Sequence, residues 1–182
     1  MRKPNKFDVF SNGNFIVSKP LVINGNLYVT GDILFKNSAR LEVFGDVIVN
    51  KSILDGSIIV HGNLICNEIC NINVEVDENI FIDDDANFLI LASTNGHISI
   101  GGSAYGIRLS TEGGSIKIGG TADLTYIYAF DEIDIGEYVI AKSIAAGNGL
   151  TLGGSIINSF SLGKLKVSIY KGGLHSKNLN ID

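Results

Sequence analysis

One short phrase recurs along this chain, and it restricts the fold more than any other feature. It reads Ile98-Ser99-Ile100-Gly101-Gly102, then Ile116-Lys117-Ile118-Gly119-Gly120, Ile133-Asp134-Ile135-Gly136 and Leu150-Thr151-Leu152-Gly153-Gly154. The second aliphatic residues, at 100, 118, 135 and 152, are 18, 17 and 17 residues apart. That period is too short for a helical-hairpin repeat and fits a few short strands joined by corners. Two aliphatic residues around a third put both on one face of a strand and turn the residue between them the other way. Stacked turns of this kind bury a column of Ile, Leu and Val.

The same phrase appears upstream as Leu21-Val22-Ile23, Leu41-Glu42-Val43, Ile58-Ile59-Val60 and Ile80-Phe81-Ile82, and downstream as Leu165-Lys166-Val167 and Leu179-Asn180-Ile181. Its second positions run 23, 43, 60, 82, 100, 118, 135, 152, 167 and 181, which predicts about nine turns, most of 17–18 residues. A secondary phrase falls between the main ones, as in Ile107-Arg108-Leu109 and Ile144-Ala145-Ala146, so each turn holds at least two strands. The six-residue intervals between Gly25 and Gly31 and between Gly56 and Gly62 match one side of a triangular coil. With 22 glycines and 2 prolines, the corners are expected to be built on Gly, Asn and Asp, through positive φ or tight bends.

The expected fold is therefore all-β: a single-domain parallel β-solenoid over residues 21–182, right-handed by the general bias of parallel crossovers. An antiparallel sandwich would also show short strands between turns, but has no reason to repeat one phrase at a fixed period. Residues 1–20 are expected to form an N-terminal cap or lead-in, with Phe7, Val9, Phe10, Phe15 and Ile16 over the first turn. Leu179 and Ile181 read as a last strand running to the chain end, an open edge suited to self-assembly.

Composition sets the remaining bounds. A chain of 182 residues with 45% hydrophobic and 18% charged residues is one folded domain, not a disordered segment. No apolar run approaches the roughly 20 residues of a membrane-spanning helix, so no membrane span is expected. The basic start, Met1 to Lys6, leads into Phe7-Asp8-Val9-Phe10-Ser11-Asn12-Gly13, which lacks the apolar core of a secretion signal and predicts a cytoplasmic protein. Cys66 and Cys70 have no metal or redox spacing and read as two buried, reduced thiols. A net charge of −5 disfavours nucleic acid as a partner and permits a basic protein.

The charge is uneven. Between Cys66 and His97 lie Glu68, Glu75, Asp77, Glu78, Asp83, Asp84 and Asp85 with no Lys or Arg, leaving 12 of the 19 acids against 14 bases elsewhere. This segment reads as a site for a basic protein partner, as a weaker calcium candidate, or as a solvated corner. In Tyr126-Ile127-Tyr128-Ala129-Phe130 the three aromatics form an outer row suited to a protein interface if Ile127 and Ala129 point inward; the opposite alternation buries them. His61, His97 and His175 fall in different turns and read as isolated surface residues. No nucleophile elbow, phosphate-binding loop or two-His metal spacing occurs, and no metal or cofactor is expected.

The segments Val22-Ile23-Asn24-Gly25-Asn26-Leu27-Tyr28-Val29-Thr30-Gly31-Asp32-Ile33 and Val43-Phe44-Gly45-Asp46-Val47-Ile48-Val49 resemble the bactofilins, bacterial polymer-forming proteins built of short β-solenoid turns. The resemblance covers residues 20–65, and beyond them only the aliphatic-glycine rhythm is shared. It implies a right-handed triangular solenoid that assembles end to end without a nucleotide. The acidic stretch between Val60 and Ile100 departs from that pattern and reads as an insertion. Two non-enzymatic functions follow as expectations: a scaffold or interaction module self-assembling through its ends, or an acidic inhibitor or immunity-type protein that neutralises a basic toxin or enzyme.

Overall fold

The computed structural model describes residues 7–155, 166–169 and 174–176. Every regular element among them is a strand, and every strand pairing is parallel. The chain coils as a β-solenoid. Its first face is a ten-stranded sheet whose strands run from Val9–Ser11 and Leu27–Val29 through Ile98–Ile100 to Gly149–Leu152 and Leu174–Ser176. Eight turns separate Val9–Ser11 from Gly149–Leu152. At the inter-strand spacing, those eight turns span about 38 Å.

The other sheet has twelve strands and forks. Near the N-terminus it is two separate ladders, a second face (Phe15–Val17, Ile33–Phe35, Ser52–Leu54) and a third face (Leu21–Ile23, Arg40–Val43, Ser57–Val60). Both ladders end on the nine-residue strand Glu68–Val76, which pairs with Ser52–Leu54 by its first half and with Ser57–Val60 by its second. From there the two faces share one strand per turn: Ala86–Ser93, Ala104–Thr111, Ala122–Ala129 and Val139–Ala146.

The bend between these faces tightens along the chain. It passes through Asn37 and Ser38 (φ 56° and 54°), then Asp55 (φ 65°), then Asn71 (φ 53°), and among the described residues after that it needs no positive φ. In the fused strands two successive residues, such as Leu89 and Ile90, face outward where alternation would allow one, and pairing skips Leu89 against Ile107. That pair of outward residues is the bend. The register accordingly advances by 20 residues from Leu27 to Val47, 17 to Leu64, 16 to Ile80 and 18 to Ile98.

This register corrects two expectations. Ile23, Val43 and Val60 lie on the third face, whereas Ile82, Ile100, Ile118, Ile135 and Leu152 lie on the first. The apparent stretch from Val60 to Ile82 is a change of face. No residues are inserted there, since the step from Leu64 to Ile80 is the shortest of that series. The true successors of Val60 are Val76, Ser93, Thr111 and Ala129. The second correction concerns residues 1–20: Val9–Ser11 pairs in register with Leu27–Val29, and Phe15–Val17 with Ile33–Phe35. Among the described residues the coil begins at Val9, and residues 9–17 are a turn, not a cover laid over one.

Side chains from all three faces meet in one apolar column that includes Leu27, Ile53, Val74, Leu91, Ile116 and Ile144. Each buried aliphatic contributes about 1.5–3 kcal/mol. Cys66 sits in this column, and burial pushes its thiol up to about 12; Cys70, also reduced, is only half-buried.

Candidate interaction surfaces

The corners carry most of the polar side chains, and the hydrogen bonds there say why. Where the third face turns into the first, Asp8, Asn26, Asp46, Asn63, Asn79, His97 and Ser115 occupy one position in successive turns. Each accepts the backbone N–H of its successor: Asn26 from Asp46 at 2.8 Å, Asp46 from Asn63 at 2.8 Å, Asn79 from His97 at 2.9 Å. His97 continues the ladder by accepting the Ser115 N–H on Nδ1 at 3.0 Å, and Ser115 Oγ accepts from Glu132 at 3.3 Å. The Asn and Asp of the Gly-Asn and Gly-Asp phrases are thus acceptors for stacked backbone, not positive-φ residues. The corner glycines have a related cause. Of the glycines described only Gly13 has positive φ (112°); a Cβ on Gly119 would be driven into the Gly101 carbonyl oxygen, and one on Gly136 into that of Gly119.

The acidic run does not form one patch. Glu75 projects from the third face, with Asp77 and Glu78 at the corner that follows it. Glu68, Asp83, Asp84 and Asp85 lie at the opposite corner, where the first face turns into the second. Three of the seven are engaged internally: Glu68 accepts the Ser52 hydroxyl at 3.2 Å, Asp85 the Ser103 N–H at 2.7 Å, and Asp77 pairs with His61. Glu75, Glu78, Asp83 and Asp84 are exposed. Among the described residues no group of three His, Cys, Asp or Glu side chains is placed to hold a metal.

Tyr126, Tyr128 and Phe130 face outward in a row, 44%, 39% and 56% exposed, over inward Ile127 and Ala129. The residues one turn above are small, with Ser143 on Tyr126, Ala145 on Tyr128, and Gly147 following the Ala146 that pairs with Ala129, so the rings stand proud of that turn. Leu179 and Ile181 lie outside the described residues.

His61 is not isolated. Its Nδ1 is 2.7 Å from Asp77 Oδ2, its Nε2 3.1 Å from Glu42 Oε1, and its ring stacks on Phe44 at 4.5 Å. The hydrogen bond to Asp77, then that to Glu42, raises its pKa above the ordinary value. With a carboxylate on each nitrogen the ring is suited to the imidazolium form and offers no lone pair to a substrate. The sequence showed no sign of this cluster, because Glu42, His61 and Asp77 come from three successive turns.

Two apolar surfaces also escaped the sequence reading. On the first face the residue between the buried pair is apolar for five turns: Phe10, Tyr28, Ile48, Ile65 and Phe81 stack in register and point outward. Phe10 and Tyr28 are stacked rings 4.8 Å apart. Beyond Phe81 the same column turns polar, through Ser99, Lys117, Asp134 and Thr151. The second surface is the N-terminal end of the rod, where Phe7, Val9, Phe15, Leu21, Val22, Ile23 and Asn24 line a groove of about 370 Å³. The legible signal for both was the phrase itself, whose middle residue should be polar on a solvated face. Among the described residues no helix is long and apolar enough to cross a membrane. No protein-family model, curated protein or solved structure matches this chain.

Proposed function

We propose that this protein is a non-enzymatic β-solenoid scaffold that associates with copies of itself through its ends, as the bactofilin-like phrases imply. The observation that carries the reading is the N-terminal turn. Val9, Phe15 and Leu21 pack on the core from one side only, and their other side faces the groove at the end of the rod. Among the described residues Val9–Ser11, Phe15–Val17 and Leu21–Ile23 are the first strands of their ladders, each paired on one side to the following turn. A second copy docked there continues the stack and buries the apolar cross-section. The non-enzymatic part is supported by the engagement of both His61 nitrogens and by the corner ladders that occupy His97 and Asp85.

Sedimentation velocity over a wide concentration range tests the proposal. The wild-type chain is expected to gain mass with concentration, and Val22→Asp, at an exposed position lining the same groove, to remain monomeric with its melting curve retained. A wild-type chain that stays monomeric throughout overturns it.

A further inference from the structure

The stripe on the first face lies in a charged frame. At the corner leading into it are Asp46 and Glu78, and at the corner leading out Asp32, Glu68, Asp83 and Asp84; Asp32, Asp46 and Glu68 each also accept a hydrogen bond from a neighbouring turn, and Glu78, Asp83 and Asp84 are exposed. Against these acids, the bases on the same stretch of the two corners are Lys51 and His61, and His61 is already held by two carboxylates. Ile65 and Phe81 are 37% and 40% exposed at the centre of the frame. An outward apolar residue in one turn is unremarkable. Five in register are not what a merely solvated face selects.

The dimensions point to the shape of the occupant. Five strands at the inter-strand spacing give a stripe about 19 Å long. A helix lying along the solenoid axis presents an apolar residue about every 5.4 Å, close to the strand spacing of about 4.8 Å, and spans the stripe in about 13 residues. Glu78 and Asp83 are separated by five residues of extended chain, about 16 Å, which accommodates a helix of about 10–12 Å diameter between the two acidic edges. An added β-strand does not fit, because a sheet face, unlike a sheet edge, offers no free backbone groups.

We propose that the first face from Phe10 to Phe81 is a docking surface for a basic amphipathic α-helix of a partner protein, its apolar side on the stripe and its Lys or Arg residues over the two acidic edges. Charge decides against the other occupants. A second copy laid face to face sets acid against acid, and anionic lipid and nucleic acid are repelled. This surface is lateral and does not depend on association through the ends.

The test uses the full chain and a synthetic 14-residue helix with leucines on one side flanked by lysines, followed by fluorescence anisotropy. The matched leucine/glutamate peptide serves as counter-probe. The lysine peptide is expected to bind with an affinity that falls in high salt, and the glutamate peptide not to bind. Ile65→Asn, and separately the pair Asp83→Lys and Asp84→Lys, should each weaken binding about tenfold or more. Ser99→Leu, which extends the stripe by one turn, should tighten it, giving a readout that does not depend on tolerating a polar residue at Ile65. Tyr126→Ser should leave binding unchanged, and none of these variants should alter sedimentation. Equal binding of both peptides, or insensitivity to the Ile65, Asp83/Asp84 and Ser99 changes, overturns the proposal. Loss of self-association in Ile65→Asn overturns it in favour of a second copy, and binding of the wild-type chain to uncharged lipid vesicles that Ile65→Asn abolishes overturns it in favour of a membrane.

Discussion

At His61 two carboxylates from neighbouring turns hold one imidazole, and the consequence is a pH dependence with a definite sign. Its folded pKa is raised, chiefly by Asp77 and then by Glu42, above the ordinary value near 6.5. A raised pKa means the folded state binds the proton more tightly. The stabilisation is complete below the unfolded value and is lost as pH rises through the folded one. Urea unfolding of wild type and His61→Gln should therefore differ at pH 6 and converge by pH 9. Side chains 31–45% exposed keep the difference under about 1 kcal/mol. Gly119 makes the complementary point about space. A methyl group there meets the Gly101 carbonyl oxygen, so the turns must part locally. Gly119→Ala should cost about 1–3 kcal/mol in chemical denaturation, the range of other overpacked sites. An effect near zero would show that the corner yields freely.

For a strand, what the sequence could tell depended on which pattern was read. Alternation put Ile98, Ile100, Ile116 and Ile118 inward, as they are. The same alternation reads identically on every face, and Leu21-Val22-Ile23 and Leu27-Tyr28-Val29 sit on different faces six residues apart. Only the inter-turn register separates them. The corner ladder was half legible. Asn and Asp beside glycine marked the corners, but their work as acceptors for the next turn's N–H emerges only with the stacking. Asn63 accepts both the Asn79 N–H at 3.2 Å and its side-chain amide at 3.0 Å. Asn63→Ala leaves that backbone donor without its side-chain partner in a half-buried corner and should lower stability by about 1–2 kcal/mol, read from the urea midpoint. At the third-face end of the column, aliphatics give way to buried hydroxyls that also pair across turns: Ser93 donates to the Glu78 carbonyl at 2.6 Å, and Thr111 to that of Gly96 at 2.5 Å.

The whole molecule is a one-dimensional stack, in which each turn meets the turn before and the turn after. Because Ile100 and Ile118 are register partners, removing residues 101–118 joins two equivalent points of the coil. That deletion should leave a cooperatively folded, shorter rod with an unchanged circular-dichroism shape. Removing only residues 101–109 cuts a turn in half, misaligns every later face and should abolish the thermal transition. If both deletions unfold the chain, the turns are less equivalent than the register indicates.

By itself the sequence determined the class of fold. A period of 17–18 residues, inward aliphatic pairs and corner glycines admit little except a parallel solenoid, because those features are local and repeat. What the tertiary structure alone decided is which residues become neighbours. It brought Val9–Ser11 and Phe15–Val17 into the coil and dissolved the supposed insertion after Val60. It also divided one acidic run between two edges of a face and aligned Phe10, Tyr28, Ile48, Ile65 and Phe81 between those edges. The physical reason is common to all four. In a solenoid the contacts that make a surface run across turns, and the hydrogen-bond register that sets them is not encoded in the alternation of any single strand.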